Sequence, residues 1–153
     1  MTVSAATKVP ALAIAEIVDA DITPVITLWR ACGLTRPWND PAADIALARR
    51  EPNSTILIGR DGDAIVATAM VGYDGHRGWV YYVATDPDRR AKGFGRAIMD
   101  AAEDWLRRAG IAKLQLLVRP ENSGVAAFYQ SIGFGEQKIL FLTKWLDGRE
   151  PTR

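Results

Sequence analysis

The chain has one cysteine, Cys32, and one histidine, His76. A lone cysteine excludes an intrachain disulfide and suits a reducing compartment. A lone histidine excludes a histidine-rich metal site, and no metal is expected. Neither sign of charge is in excess, since 19 basic against 18 acidic side chains leave a formal net charge of +1. A chain built to neutralise many phosphates carries far more, so nucleic acid is not expected as a partner. No apolar run approaches the ~20 residues that cross a bilayer, so no membrane association is expected. Lys8, Pro10 and Glu16 interrupt the N-terminal stretch where a secretory signal needs an unbroken apolar run. These gaps lead to the expectation of a soluble, cytoplasmic protein. There is no internal repeat, linker or low-complexity segment.

What is present suffices for one ordinary core, with 153 residues of which 48% are hydrophobic. The expected organisation is a mobile tail over 1–10, a single domain over 11–147 and a polar tail over 148–153. Leu12 to Val18 reads as a first strand. Asp21 or Thr23, with Pro24 near the first turn, opens a helix in which Val25, Leu28, Trp29 and Cys32 share a face and Gly33 ends the run. Asp40-Pro41 opens a second helix that carries Ile45 and Ala48 inward and ends at Arg49-Arg50. Thr55 to Ile58 and Ala64 to Tyr73 are strand-like, joined through Asp61-Gly62, a hairpin signal. Further strands are expected over Trp79 to Thr85, Lys113 to Val118 and Ile139 to Trp145. A helix with Ile98, Ala102 and Trp105 on one face stands between the first two of these, so those two strands run parallel. Asn122 or Ser123 caps a short fourth helix, closed by Gly133.

The chemistry-bearing stretch is Trp79 to Gly110. An apolar strand is stopped by Thr85-Asp86-Pro87. A basic, glycine-containing turn follows from Arg89 to Gly95, and then a long amphipathic helix. A strand feeding a Gly-rich turn at a helix N-terminus gathers free backbone N–H groups at the positive end of a helix dipole, an anion site suited to phosphate. Arg89, Arg90, Lys92 and Arg96 give the turn local positive charge. It is not a P-loop, because Gly95 is followed by Arg96-Ala97 rather than Lys-Ser/Thr. It is not a dinucleotide turn either, because the third glycine of that fingerprint is missing.

Arg90-Ala91-Lys92-Gly93-Phe94-Gly95 fits Arg/Gln-x-x-Gly-x-Gly/Ala. The downstream block Asn122 to Phe134 fits Asn-x(5)-Phe-Tyr-x-x-x-Gly-Phe, with Phe128-Tyr129 and Gly133-Phe134 in place. Two blocks in this order, joined by a helix and a strand, resemble the acetyl-CoA signatures of the GNAT N-acetyltransferases. The resemblance covers residues 12 to 146. Within the family, the YpeA-like group of small bacterial acetyltransferases is the most similar. It implies a mixed α/β (α+β) fold with a central, mostly antiparallel sheet of about six to seven strands, about four helices and one parallel βαβ unit. It also implies acetyl-CoA as cosubstrate, a small-molecule or peptide amine as acceptor, and a homodimer as a possible assembly.

Residue by residue, the resemblance places the CoA pyrophosphate on Arg90, Ala91, Lys92, Gly93, Phe94, Gly95 and Arg96. Pantetheine would lie against the backbone of Val83, Ala84 and Thr85, with the Val83 N–H polarising the thioester carbonyl. Asn122 would hold the pantetheine amide, and Tyr129 would protonate the departing thiolate. Phe128 belongs to the cofactor-binding set as a packing residue. The first two helices and their loop border the acceptor pocket, which makes Trp38, Asp40 and Asp44 candidates to touch the substrate. The general base is open between Tyr81, Tyr82, Asp74, His76 and a water chain. Leu117 stands where N-terminal acetylating members carry Glu, which disfavours that acceptor class. An acyl-CoA-sensing module without turnover and a tRNA-directed acetylase are the alternative readings; the charge balance disfavours the second.

Overall fold

A computed structural model of the chain describes residues 12–90 and 92–150. The expected tail over 1–10, Ala91 and the end of the second tail lie outside the described residues. Two compact units are distinguished, Met1–Leu117 and Val118–Arg153.

The first unit is a five-stranded sheet in the order β1-β2-β3-β4-β5. Its strands are β1 (Ala13–Glu16), β2 (Ser54–Asp61), β3 (Ala64–Tyr73), β4 (Gly78–Thr85) and β5 (Leu114–Gln115). The first four pair antiparallel, and β5 runs parallel to β4. The Asp61-Gly62 hairpin joins β2 to β3, with Gly62 at φ 61, where a side chain would strain the turn.

The helices α1 (Ile22–Ala31) and α2 (Pro41–Arg50) bring Val25, Leu28, Trp29, Ile45 and Ala48 into one cluster with Ile56, Ile58 and Ala84 of the sheet. The helix α3 (Phe94–Arg108) buries Phe94, Ile98, Met99, Ala102 and Leu106, at the 3.6-residue spacing read from the sequence. The start of β4 lies against α3: a Cβ on Gly78 would come within 2.6 Å of the Leu106 side chain, so only glycine fits there without a shift.

Capping differs from expectation at α1. Asp21 occupies the N-cap position but makes no side-chain cap bond. Its buried carboxylate instead accepts from the Val18 N–H at 2.9 Å and pairs with Arg60. At α2 the expectation holds. Asp40 Oδ1 accepts from the N–H groups of Ala42 at 3.0 Å and Ala43 at 3.2 Å, with Pro41 in the first turn.

The second unit holds α4 (Ser123–Ser131) and no strand among its described residues. Among the described residues the sheet therefore has five strands, not six to seven. The segment from Ile139 to Trp145 is apolar enough for a strand, but pairs with none of the described strands, and Leu140 is 89% exposed. A strand exists only through its neighbour's hydrogen bonds, which composition does not specify. For the same reason the expected run Lys113 to Val118 forms a ladder over only two residues.

Candidate active site

The site is built on the second half of β4. Ladder partners run Met70↔Tyr81 and Thr68↔Ala84, so two β4 residues, Tyr82 and Val83, stand opposite the single residue Ala69. That is a β-bulge. Tyr82 takes φ 49, the one positive φ among the described non-glycine residues. A bulky side chain adopts this conformation only where its surroundings fix it.

Three contacts fix it. The Tyr82 ring stacks on Trp29 with centroids 3.8 Å apart and planes 9° from parallel. Its carbonyl accepts from Thr68 Oγ1 at 2.9 Å, and that oxygen accepts from Trp29 Nε1 at 2.9 Å. Its hydroxyl donates to Asp44 Oδ2 at 2.6 Å. Burial and then Asp44 push the phenol well above its ordinary range, so it is a proton donor and not a base at neutral pH.

On its other edge β4 pairs with β5 only through Gly78 and Trp79. From Val80 to Thr85 its one ladder partner is β3. Among the described residues no strand pairs with that second edge from Val80 onward, and an extended ligand can bond to such an edge as another strand would.

The turn after β4 is rigid. Asp86 donates its N–H to Val66 O at 2.8 Å and accepts from the Asp88 N–H at 2.9 Å, which holds the single 3₁₀ turn Pro87–Arg89. Gly93 follows at φ 77, ψ 13, as the N-cap of α3. No side chain caps this helix, and its first turn holds no acidic residue. The contrast with α2 is direct, because there Asp40 satisfies the orphan N–H groups and Asp44 sits in the first turn. The 15-residue α3 presents free N–H donors and the positive end of its dipole to whatever occupies the turn.

The basic residues around it divide. Arg89 is spent within the chain, on Asp61 at 3.0 Å and Asp86 at 3.6 Å, and is not available to a phosphate as the sequence suggested. Arg90, Lys92 and Arg96 are exposed. Phe94 is 2% exposed, so its ring belongs to the core and only its backbone faces the turn.

The structure narrows the choice of base. Asp74 accepts from the N–H groups of Arg77 at 2.8 Å and His76 at 2.9 Å and from Trp79 Nε1 at 3.1 Å. These bonds, led by the one from Arg77, hold its carboxyl down at about 2. Asp74 and His76 lie in the turn before β4, and Gly78 to Val83 alone spans about 17 Å of strand. Neither reaches the bulge. Tyr81 is half exposed, stacked beside Trp79, and burial raises its phenol above the ordinary value. Cys32 donates to the Thr85 carbonyl at 3.1 Å, and burial raises its thiol, which makes it a poor nucleophile.

In the second unit, Asn122 precedes α4 but makes no side-chain cap bond, so capping does not occupy its amide. Tyr129 is 9% exposed and packs between Phe128, at 5.2 Å, and Phe134, at 5.5 Å. Burial pushes its phenol up to about 12. The Asp44–Tyr82 hydrogen bond joins residues 38 apart in sequence. The α2 pattern, with Asp44 one turn after its cap, carried no signal of it. A recess of ≈ 540 Å³ opens between β1, β2 and α3 beside Leu57, Trp105 and Arg108.

Among the described residues no group of three or more His, Cys, Asp or Glu is placed to hold a metal ion. No described helix is long and apolar enough to cross a membrane. The model of the acetyltransferase (GNAT) family matches residues 23–134. An acetyltransferase of Yersinia enterocolitica is 39% identical over 128 residues, covering 84% of this chain and 91% of that protein. The ribosomal-protein-S18-alanine N-acetyltransferase of Escherichia coli has a similar structure, with TM-score 0.70 and 22% identity over 83% of this chain and 79% of that one. So does AAC(6')-Iy in complex with the bisubstrate analogue CoA-S-monomethyl-acetylneamine, with TM-score 0.76 and 16% identity over 89% and 99%. These matches do not distinguish the YpeA-like group within the family.

Proposed function

Because the chain belongs to the acetyltransferase (GNAT) family, we propose that it transfers the acetyl group of acetyl-CoA directly to a primary amine of a small molecule or peptide. The observation that carries this reading is the uncapped, acid-free N-terminus of α3, reached from a bulged strand whose second edge has no partner strand past Trp79 among the described residues.

The residues fit such a cosubstrate. Free N–H groups at Gly95 and Arg96 bind the pyrophosphate, Gly93 keeps the approach clear of a side chain, and Arg90, Lys92 and Arg96 add charge. Val83, Ala84 and Thr85 offer their peptide groups to the pantetheine arm. The Val83 N–H, fixed by the bulge, stabilises the oxyanion that develops on the thioester carbonyl; one donor of this kind is worth ~3 kcal/mol in other enzymes. When bound, acetyl-CoA supplies an acyl group on a good leaving thiol. Asn122 and Tyr129 take their roles from the second sequence block, the first on the pantetheine amide and the second as proton donor to the thiolate. A thiol has a reference pKa of ~8.5, and a phenol raised to about 12 keeps its proton at neutral pH and has it available for this step. With Tyr82 bound as donor and Asp74 locked in its turn, the acceptor ammonium loses its proton to water.

The test is release of free CoA from acetyl-CoA over a panel of amines, comparing the unaltered chain with Tyr129→Phe. Turnover that depends on the amine and drops in the variant supports the reading. Tight CoA binding with no release for any amine would instead make the chain a sensor.

A further inference from the structure

The Asp44–Tyr82 pair has no part in the chemistry above, yet much of the local structure converges on it. Tyr82 is held at its ring by Trp29, at its carbonyl by Thr68 and at its hydroxyl by Asp44. It immediately precedes Val83, so Asp44 stands one phenol length from the strand position next to the proposed oxyanion donor. The phenol occupies Oδ2 of Asp44, while Oδ1 makes no hydrogen bond or ion pair among the described residues. The two arginines that flank it in sequence, Arg36 and Arg49, have partners of their own. Arg36 donates to the carbonyls of Gly33 at 2.6 Å and Thr35 at 3.2 Å, and Arg49 pairs with Asp19 at 2.7 Å. Asp40, one turn earlier, is taken up by capping α2.

An unneutralised carboxylate beside an acyl-transfer position selects among amines in a definite way. The attacking nitrogen must be uncharged, with its lone pair free. A carboxylate that grips it as an ammonium favours the unreactive form and slows attack. A carboxylate that grips a second positive group, one that stays charged throughout, fixes the acceptor without opposing the chemistry.

We propose that Asp44, oriented by the Tyr82 hydroxyl, is the specificity-determining residue that binds a second, non-reacting cationic group of the acceptor, so that the preferred acceptors are diamines and other compounds with two basic groups. This rests on the reading of β4 as the thioester-binding strand. Asp44 touches the acceptor, and Tyr82 is a positioning residue that acts through it. In the transfer itself, the neutral amine forms the C–N bond, the C–S bond breaks, the thiolate takes one proton, and the nitrogen gives its extra proton to water.

The experiment compares acetyl-CoA-dependent turnover of 1,4-diaminobutane with that of butylamine, which has the same chain and one charge fewer. The unaltered chain should show a kcat/KM at least about tenfold higher for the diamine, the difference expected for one charged hydrogen bond. Asp44→Asn keeps an oxygen for the Tyr82 hydroxyl and removes the charge. It should bring the diamine-to-monoamine ratio close to one, mainly by raising KM for the diamine. Tyr82→Phe should lower the ratio part of the way, again through KM, which a purely structural role of the hydroxyl would not do selectively. An unchanged ratio in Asp44→Asn, a preference of the unaltered chain for butylamine, or no turnover of 1,4-diaminobutane would overturn the proposal. Calorimetry with CoA alone separates the two levels. CoA binding that ignores changes at Gly93 removes the reading of the cosubstrate site, whereas an unchanged ratio with CoA bound normally removes only the role of Asp44.

Discussion

Replacing Gly93 with Asp places one carboxylate where the account places a diphosphate. The fold should tolerate it. Gly93 sits at φ 77, ψ 13, in the left-handed region, where a side chain costs roughly 1 kcal/mol. The same position is the N-cap of α3, where an aspartate returns about 0.3 kcal/mol over glycine by accepting from the free first-turn N–H groups. The net cost is below about 1 kcal/mol, so the melting temperature should fall by only about 2–3 °C. Binding should not survive as well. A carboxylate about 5 Å from one phosphate charge, at an effective dielectric of about 20, opposes it by about 3 kcal/mol. That raises the dissociation constant for CoA more than about a hundredfold. Gly93→Asn is the control: it has the same shape, the same tolerance of positive φ and no charge. It should weaken CoA by only about tenfold, through competition for the same N–H groups. Titration calorimetry with CoA reads both variants, and a thermal melt confirms that each is folded. If Gly93→Asp binds CoA as tightly as the unaltered chain, the diphosphate does not lie at this helix.

Tyr129→Phe should lower kcat by about a hundredfold or more, the usual range for a lost general acid, while leaving CoA affinity nearly intact. The same variant has a signature in stability. The folded phenol titrates at about 12 against ~10 unfolded, so its contribution is fully present below pH ~10 and lost as pH rises toward 12, by about 3 kcal/mol, and Tyr129→Phe should lose correspondingly less stability over that window in alkaline denaturation. Thr68→Val removes the oxygen that joins Trp29 Nε1 to the Tyr82 carbonyl, which leaves two polar groups without their partner. It should cost about 2–3 kcal/mol and lower the melting temperature by roughly 5–10 °C; a melt within a degree of the unaltered chain would mean that this chain of bonds does not hold the bulge. Asp74→Ala and His76→Ala should leave kcat unchanged in the CoA-release assay, and a large loss in either would mean that the base had been misplaced.

The parts of the fold visible in the sequence are those set by short-range chemistry. Asp40-Pro41 caps α2, Asp61-Gly62 turns β2 into β3, and the spacing of Phe94, Ile98, Ala102 and Leu106 gives the buried face of α3. The uncapped, glycine-led start of α3, where the account proposes an anion, reads from the sequence for the same reason, because glycine and helix N–H groups act within a few residues of each other.

The parts that were not visible depend on distant partners. Tyr82 reads as an ordinary aromatic strand residue, and only its stacking on Trp29 and its bonds to Thr68 and Asp44 hold it at positive φ. Arg89 looks like one more phosphate ligand until Asp61, from the β2–β3 hairpin, is seen to hold it. Asp74 is a candidate base in the sequence, but two N–H groups of its own turn and the Trp79 indole of β4 surround it. The segment from Ile139 to Trp145 has strand composition and no strand beside it among the described residues.

A crystal structure of the chain with CoA tests the account most directly. It should show the pyrophosphate within hydrogen-bond distance of the Gly95 and Arg96 N–H groups and the pantetheine arm running along β4 beside Val83. Density for the cofactor elsewhere, with the N-terminus of α3 empty, would contradict it.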